Sequence, residues 1–174
     1  MKRVVGTLNE FSFELPTGYG VTSDRYMLQN GQGFLHRENY LSQNGNVISL
    51  FEVHRNPEEF LEKYKLLTKS YRQFSDKYEL CKFFYLKIKN ETFPVFIIRG
   101  YHEKLLYVMQ VFVECDDCLG CFMINLKNYD KDFSNIRKNN EIFEDLIKLL
   151  RTIEWKSCYC TVVAAHAAHK LLMY

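Results

Sequence analysis

Three cysteines lie close together in the second half of the chain, in the run Cys115-Asp-Asp-Cys118-Leu-Gly-Cys121. Thiolates are soft metal ligands, and two of them separated by two residues in a turn can bind one zinc or iron ion. A structural zinc site needs four ligands, and the second pair would have to be Cys158 and Cys160, whose C-x-C spacing is less usual. We therefore favour a hairpin in which Cys115 and Cys121 pack as small apolar residues, because a C-x-x-C without a matching pair is a weak signal.

The end of the chain carries a second candidate set of metal ligands, Cys158, Cys160, His166 and His169. The two histidines would share one side of a helix if residues 162–174 are helical. Their spacing matches no zinc-finger pattern, and a histidine pair on an alanine-rich helix is more often at the surface. We expect no metal and no cofactor at either set.

Catalysis requires a nucleophile, a base and an orienting group that converge in a pocket. The polar candidates lie on or beside predicted strands and turns, and their spacing does not bring them together; they are His36, His54, His102, Glu103, Asp116 and Asp117. The glycines at 31 and 33 precede a strand, so they do not form a phosphate-binding loop before a helix. We predict no catalytic residue.

Composition narrows the class of protein. The 174 residues suffice for one domain with a sizeable core, and 47% of them are apolar. The net charge of +2 and the absence of a long basic run argue against nucleic acid as the main partner. The N-terminus lacks the apolar segment of a signal peptide, and no run reaches the length of a transmembrane helix. We therefore expect a cytoplasmic protein with reduced cysteines.

The stretch from Cys81 to Leu126 contains four apolar runs separated by three turn-like breaks. The first run alternates apolar and polar residues, whereas the next two are apolar on both faces, as strands in the middle of a covered sheet are. The breaks, expected near Asn90, near residues 99–104 and near residues 116–120, are short enough for hairpins. The pattern predicts an antiparallel meander, with its second strand beginning or bulging at Pro94.

Two amphipathic stretches predict the helices that cover this sheet. The first, about Pro57 to Lys77, follows an Asn56 N-cap, and the second is about Asn140 to Trp155. Shorter strands are predicted before the first helix, with a hairpin turn at Gln43 to Asn46. The fold class is therefore α+β: a mainly antiparallel β-sheet sandwiched between helices on opposite faces. Residues 1–156 form a single domain, and residues 157–174 form a C-terminal extension, helical in one interpretation, that we expect to be dispensable for folding.

Phe11 to Leu15 alternates as a short strand that Pro16-Thr-Gly ends. This segment, Phe11-Ser-Phe-Glu-Leu-Pro-Thr-Gly-Tyr-Gly, resembles the opening of the PsbP/Mog-like superfamily, which includes the bacterial DcrB-like proteins. The order of elements and the late helix ending in Leu149-Leu-Arg-Thr-Ile153 are also similar. The resemblance covers roughly Phe11 to Trp155 and implies an α/β/α sandwich. Members are chiefly non-catalytic, and no shared catalytic motif allows a functional residue to be transferred.

These observations favour a non-enzymatic protein-interaction module, adaptor or chaperone-like, with a protein partner and an oligomeric state left open. The alternative is a cysteine-based metal-binding or redox protein, followed by a small enzyme. One geometric expectation separates the first two. If the last hairpin turns at about residues 116–120, Cys115 and Cys121 face each other with Cα atoms about 4.5–5.5 Å apart. That arrangement predicts reduced or crosslinked cysteines and no stoichiometric metal.

Overall fold

The structure, a computed structural model, describes residues 2–6, 10–22, 26–30, 33–54, 78–102, 104–115, 118–130 and 132–156. The predicted helix at Pro57 to Lys77 and the extension after Lys156 lie outside these residues. The statements below concern only the described parts of the chain.

Eight strands form one antiparallel sheet, the large sheet, in the order β3-β5-β6-β10-β9-β8-β7, with β4 also paired to β5. Neighbouring strands in this order are antiparallel throughout. The strands are β3 (Tyr19–Val21), β4 (Tyr26–Asn30), β5 (Gly33–Ser42), β6 (Val47–His54), β7 (Tyr78–Ile88), β8 (Glu91–His102), β9 (Lys104–Glu114) and β10 (Cys118–Leu126).

The predicted meander is confirmed as β7-β8-β9-β10. Its strands are longer and its turns tighter than the sequence pattern indicated, because polar residues at strand ends still pair. The β7–β8 turn is Lys89-Asn90, and β8 and β9 are separated by a single residue. The β5–β6 hairpin also forms where the Asn-Gly signal placed it, with Gly45 at φ 78°.

Pro94 does not start or bulge its strand, so that expectation is wrong. It lies inside β8 opposite Tyr85, while the irregularity falls on β7 between Leu80 and Lys82. The pairing of β8 with β9 begins only at Val95. Residues before Val95 are therefore bonded on one side alone, and the missing N–H of a proline is tolerated where no partner strand requires it.

A second, smaller sheet was not predicted. It consists of β1 (Lys2–Val5), β2 (Phe11–Leu15) and β11 (Glu154–Trp155), in the order β1-β2-β11. Phe11, Phe13 and Leu15 point inward and are buried. The strands β1 and β11 are too short to show a clear alternation, which explains why the sequence did not reveal them.

Two helices follow the large sheet, α1 (Phe133–Asn139) and α2 (Glu141–Leu150). The predicted apolar stripe of α2 is confirmed by the burial of Phe143, Leu146, Ile147 and Leu150. The helix ends earlier than expected, because the chain turns at Arg151 and Trp155 belongs to β11.

The small sheet and α2 cover one face of the large sheet, here called the core face. The Phe13 ring meets the Phe122 ring edge to face at 5.1 Å between centroids, and the Tyr40 ring at 5.6 Å. Near one end of this face, Tyr19 on β3 donates from its hydroxyl to the Asp145 carboxylate of α2 at 3.2 Å. Burial, and then the charge of Asp145, raise the pKa of Tyr19. The contact joins the helix to the sheet.

The opposite face of the large sheet, here called the second face, carries its own apolar cluster. Phe96, Ile98, Phe112 and Cys121 are buried there, and Phe83 packs beside them. The described elements that cover the large sheet all lie on its core face. The coarse prediction, an α+β fold that is mainly antiparallel sheet, is therefore confirmed, whereas a helix on each face is not.

Candidate functional site

The register of the last hairpin overturns the expected pairing of Cys115 with Cys121. Leu119 is opposite Glu114, and Cys121 is opposite Phe112. Cys115 belongs to the core face and Cys121 to the second face, so the two thiols lie on opposite sides of the sheet. The turn spans fewer residues than predicted, and the resulting shift by an odd number of positions reverses the face. Burial raises the pKa of the Cys121 thiol.

The same register brings together residues that sequence spacing did not connect. Cys118 begins β10 directly opposite His54, the last residue of β6. His36 on β5 is opposite Glu52 on β6. The side chains of these histidines and of Cys118 lie outside the described part of the structure.

The other predicted candidates are not brought to this place. His102 ends β8 opposite Lys104, at the other end of the meander. The remaining candidates lie outside the described residues; they are Glu103, Asp116, Asp117, Cys158, Cys160, His166 and His169.

Two buried acids on the core face were missed by the sequence analysis. Glu38 is 2% exposed and Glu52 is 1% exposed. The Tyr40 hydroxyl donates to Glu38 at 2.7 Å, and the Glu52 carboxylate lies so close to Gly6 that a Cβ there would be 2.5 Å from Oε1. The sequence of β6 does contain a sign of the buried Glu52, because Glu52 follows Ile48 and Leu50 at the next alternate position of the strand. Buried polar groups in folded proteins have hydrogen-bond partners, so these two acids mark a polar part of the core face.

A cleft opens between the β7–β8 hairpin and the two helices; we call it the basic cleft. Its floor is apolar, its volume is about 170 Å³, and none of its lining residues is acidic. The lining residues are Leu86, Lys87, Ile88, Lys89, Arg137, Phe143, Ile147 and Arg151. Cations therefore make up half of the lining, in a chain whose net charge is only +2.

Lys89 holds the two sides of the basic cleft together. Its ammonium donates to the main-chain carbonyl of Arg151, at the end of α2, over 2.7 Å. The residue has φ 55°, and within the described parts of the chain it alone among non-glycine residues has a positive φ. Glycine is the usual residue at such a position, because a Cβ is disfavoured there. The Lys89 side chain thus connects the hairpin to the end of α2 from a turn position that glycine usually fills.

Arg137 faces the basic cleft from α1 and pairs with Glu144 on α2. The hydrogen bond from Arg137 lowers the pKa of the Glu144 carboxyl, and the same bond raises the pKa of the guanidinium. Arg151, across the cleft, is exposed. An incoming anion would meet one cation that already has an acidic neighbour and one that is open to solvent.

The size of the basic cleft limits what it can bind. Pockets for drug-sized ligands have volumes of about 300–1,000 Å³, well above the 170 Å³ here. The space suits one apolar side chain, with anionic groups at the rim. Among the described residues, no group of three or more histidine, cysteine, aspartate or glutamate side chains is placed to hold a metal. No described helix is long and apolar enough to cross a membrane.

Comparison with known proteins gives a similarity of fold alone. No protein-family model matches the sequence, and no curated protein sequence matches it. The structure is similar to the solution structure of cyanobacterial PsbP (CyanoP) from Synechocystis sp. PCC 6803, with a TM-score of 0.52 and 7% sequence identity. The match covers 88% of this chain and 91% of that one. The chain therefore has a PsbP-like fold.

Proposed function

We propose that this protein is a non-enzymatic protein-interaction module, adaptor or chaperone-like, that binds a protein partner at the basic cleft. The observation that carries the proposal is the cleft itself, a side-chain-sized hollow with a mixed polar and apolar lining, rimmed by Lys89, Arg137 and Arg151. Interfaces gain most of their affinity from a few anchors that fill pockets, surrounded by a polar rim. A small hollow with a charged rim fits that description better than it fits an enzyme pocket.

The rim charge defines the partner. The exposed cations of the rim attract an acidic surface and speed its encounter with the cleft. We therefore propose a partner that presents an apolar side chain next to carboxylates. The apolar group would pack on the half-buried Leu86, and the carboxylates would lie near Arg137 and Arg151.

We also propose that the protein is a cytoplasmic, bacterial, DcrB-like member of the PsbP/Mog-like group. In this proposal the helix predicted at Pro57 to Lys77 lies over the second face. The burial of Phe96 and Phe112 on that face supports this, since such a helix would complete the sandwich. Leu67→Ala should then reduce the free energy of unfolding by about 2–5 kcal/mol. Lys65→Ala, off the apolar stripe, should change it by less than about 0.5 kcal/mol. Equal effects in urea denaturation would contradict the helix.

The interaction is tested by comparing two double variants of equal net charge. Arg137→Gln with Arg151→Gln removes two cations that line the basic cleft, and Lys127→Gln with Lys138→Gln removes two exposed cations that do not. Each protein is immobilised, exposed to a lysate of the source cells, and analysed by quantitative mass spectrometry. We expect a partner retained by the wild type and by the lysine variant, and lost from the arginine variant.

Circular dichroism should show that both variants keep the wild-type fold, because all four side chains are at the surface. Retention of the same proteins by both variants would refute the basic cleft as the docking site. Loss from both variants would mean that capture depends on net charge alone, which also contradicts the proposal.

A further inference from the structure

We propose that the Glu144 carboxylate is an internal competitor at the basic cleft, occupying Arg137 until a carboxylate of the bound partner takes its place. This role rests on the proposed function, because it describes how the same cleft selects an acidic partner. It adds a residue that is not part of the cleft lining and that controls access to one of the lining cations.

The pair between Arg137 and Glu144 has the geometry of a bound carboxylate. The guanidinium donates from Nε to one carboxylate oxygen and from Nη2 to the other, the second bond being 3.4 Å long. Two bonds from the planar fork to the two oxygens are the usual way in which arginine binds a carboxylate. The fold therefore already presents to Arg137 the chemical group that the partner is proposed to supply.

Glu144 reaches Arg137 from the side of α2 that faces the basic cleft. It lies three residues before Ile147 and seven before Arg151, and residues at these spacings share one side of a helix. Both Ile147 and Arg151 line the cleft. Besides the hydrogen bond from Arg137, the charges of Arg151 and Lys148 lower the pKa of Glu144. The carboxylate is thus held as an anion among the cations that a partner would meet.

A partner can make the exchange because both side chains of the pair reach solvent. The Arg137 side chain is 53% exposed, and the Glu144 side chain is 38% exposed. An ion pair at this degree of exposure is weak, since water screens the charges and holding two long side chains in one geometry costs entropy. A partner carboxylate that an apolar anchor positions in the cleft can therefore displace Glu144, whereas a free anion gains little by doing so.

The strength of the internal pair sets the size of the effect. A partner carboxylate that binds Arg137 must replace Glu144, so its binding is weakened by the equilibrium constant of the pair. Exposed pairs of this kind favour the paired state by about two- to five-fold. Removing the Glu144 carboxylate should therefore tighten the binding of an acidic peptide by about the same factor.

Binding of a capped peptide, Glu-Glu-Leu-Glu-Glu, to the full-length protein tests this role. NMR titration gives the dissociation constant for the wild type, for Glu144→Gln and for Glu141→Gln. Glu141 is the matched control, because it is an exposed acid in the same first turn of α2 and does not line the cleft. We expect Glu144→Gln to bind the peptide about two- to five-fold more tightly than Glu141→Gln does.

Variants that also lack Arg137 separate displacement from a general effect of charge. In an Arg137→Gln background, the further change Glu144→Gln should alter the peptide affinity no more than Glu141→Gln does, because the site of competition is gone. Equal affinities of Glu144→Gln and Glu141→Gln would overturn the internal competitor. An equal gain from Glu144→Gln with and without Arg137 would overturn it as well.

The same titrations distinguish the internal competitor from the proposed function. If Arg137→Gln with Arg151→Gln weakens peptide binding but Glu144→Gln does not tighten it relative to Glu141→Gln, the basic cleft stands as the docking site and the competitor does not. If the arginine variant binds the peptide as the wild type does, the docking site and the competitor both fail.

Discussion

The Asn140 side chain joins the two helices to the end of the large sheet, and its removal is the sharpest test of how this part of the fold is held. Asn140 is 1% exposed, and its amide nitrogen donates to the carbonyls of Asn128 at 3.0 Å and Ile136 at 2.8 Å. Its oxygen accepts from the main-chain N–H of Lys127 at 2.8 Å and, more weakly, of Asn128 at 3.5 Å. One buried amide thus satisfies four main-chain groups.

The cost of Asn140→Ala follows from these bonds. Each contributes about 0.5–1.5 kcal/mol net, which gives about 2–6 kcal/mol for the four bonds as an upper range. Lys127 and Asn128 are exposed, so water replaces part of the loss. We expect the free energy of unfolding to fall by about 2–3 kcal/mol and the melting temperature by about 4–12 °C. Asn139→Ala, at the exposed neighbouring position, should change stability by less than about 0.5 kcal/mol.

Asn140→Asp separates hydrogen bonding from packing. The carboxylate keeps the shape and the acceptor but loses both donors and faces two carbonyl oxygens. The folded state therefore raises the pKa of the new carboxyl above its unfolded value of about 3.9. The loss in free energy of unfolding caused by Asn140→Asp grows as the pH rises from the unfolded pKa to the folded pKa. This loss is therefore smaller at pH 4 than at pH 7. Urea denaturation at both pH values measures it; an Asn140→Ala effect no larger than that of Asn139→Ala would refute the reasoning.

Three further predictions concern packing and titration. Gly120→Ala should destabilise the protein by about 1–3 kcal/mol, because its Cβ would lie 3.0 Å from the Phe11 ring; Phe11→Leu in the same chain should recover part of the loss in thermal unfolding. The Arg137 hydrogen bond lowers the folded pKa of Glu144, so its stabilisation is present above the unfolded pKa and is lost as the pH falls through the folded value. Stability measured between pH 7 and pH 3 should therefore fall less in Glu144→Gln than in the wild type. The Cys121 thiol is buried and its pKa is raised, so iodoacetamide at pH 8 should label it much more slowly in the folded than in the urea-unfolded protein, as peptide mapping would show.

Elements with a long apolar pattern were predictable from the sequence. The meander follows from runs that are apolar on both faces, and α2 follows from the recurrence of Phe143, Ile147 and Leu150. In both cases the apolar residues repeat often enough for the period of the structure to be read directly.

The small sheet and the buried acids Glu38 and Glu52 were not predictable in the same way. β11 consists of Glu154 and Trp155 alone, and its pairing with β2 depends on where α2 ends. Glu52 takes the next inward position after Ile48 and Leu50 in β6, and only the folded structure shows that Gly6 lies against its carboxylate. The basic cleft likewise lies between a hairpin and two helices. No local sequence pattern specifies how these elements are placed next to each other.

The cysteine hairpin shows how strongly a candidate site depends on register. The expected turn pairs Cys115 with Cys121, whereas the observed register pairs Glu114 with Leu119; the partner positions shift by three, and an odd shift exchanges the faces of the strand. Cys121 is thereby separated from Cys115 by the sheet itself, and Cys118 becomes the neighbour of His54. The residue types were visible in the sequence, but the chemistry they can perform is decided by the length of one turn.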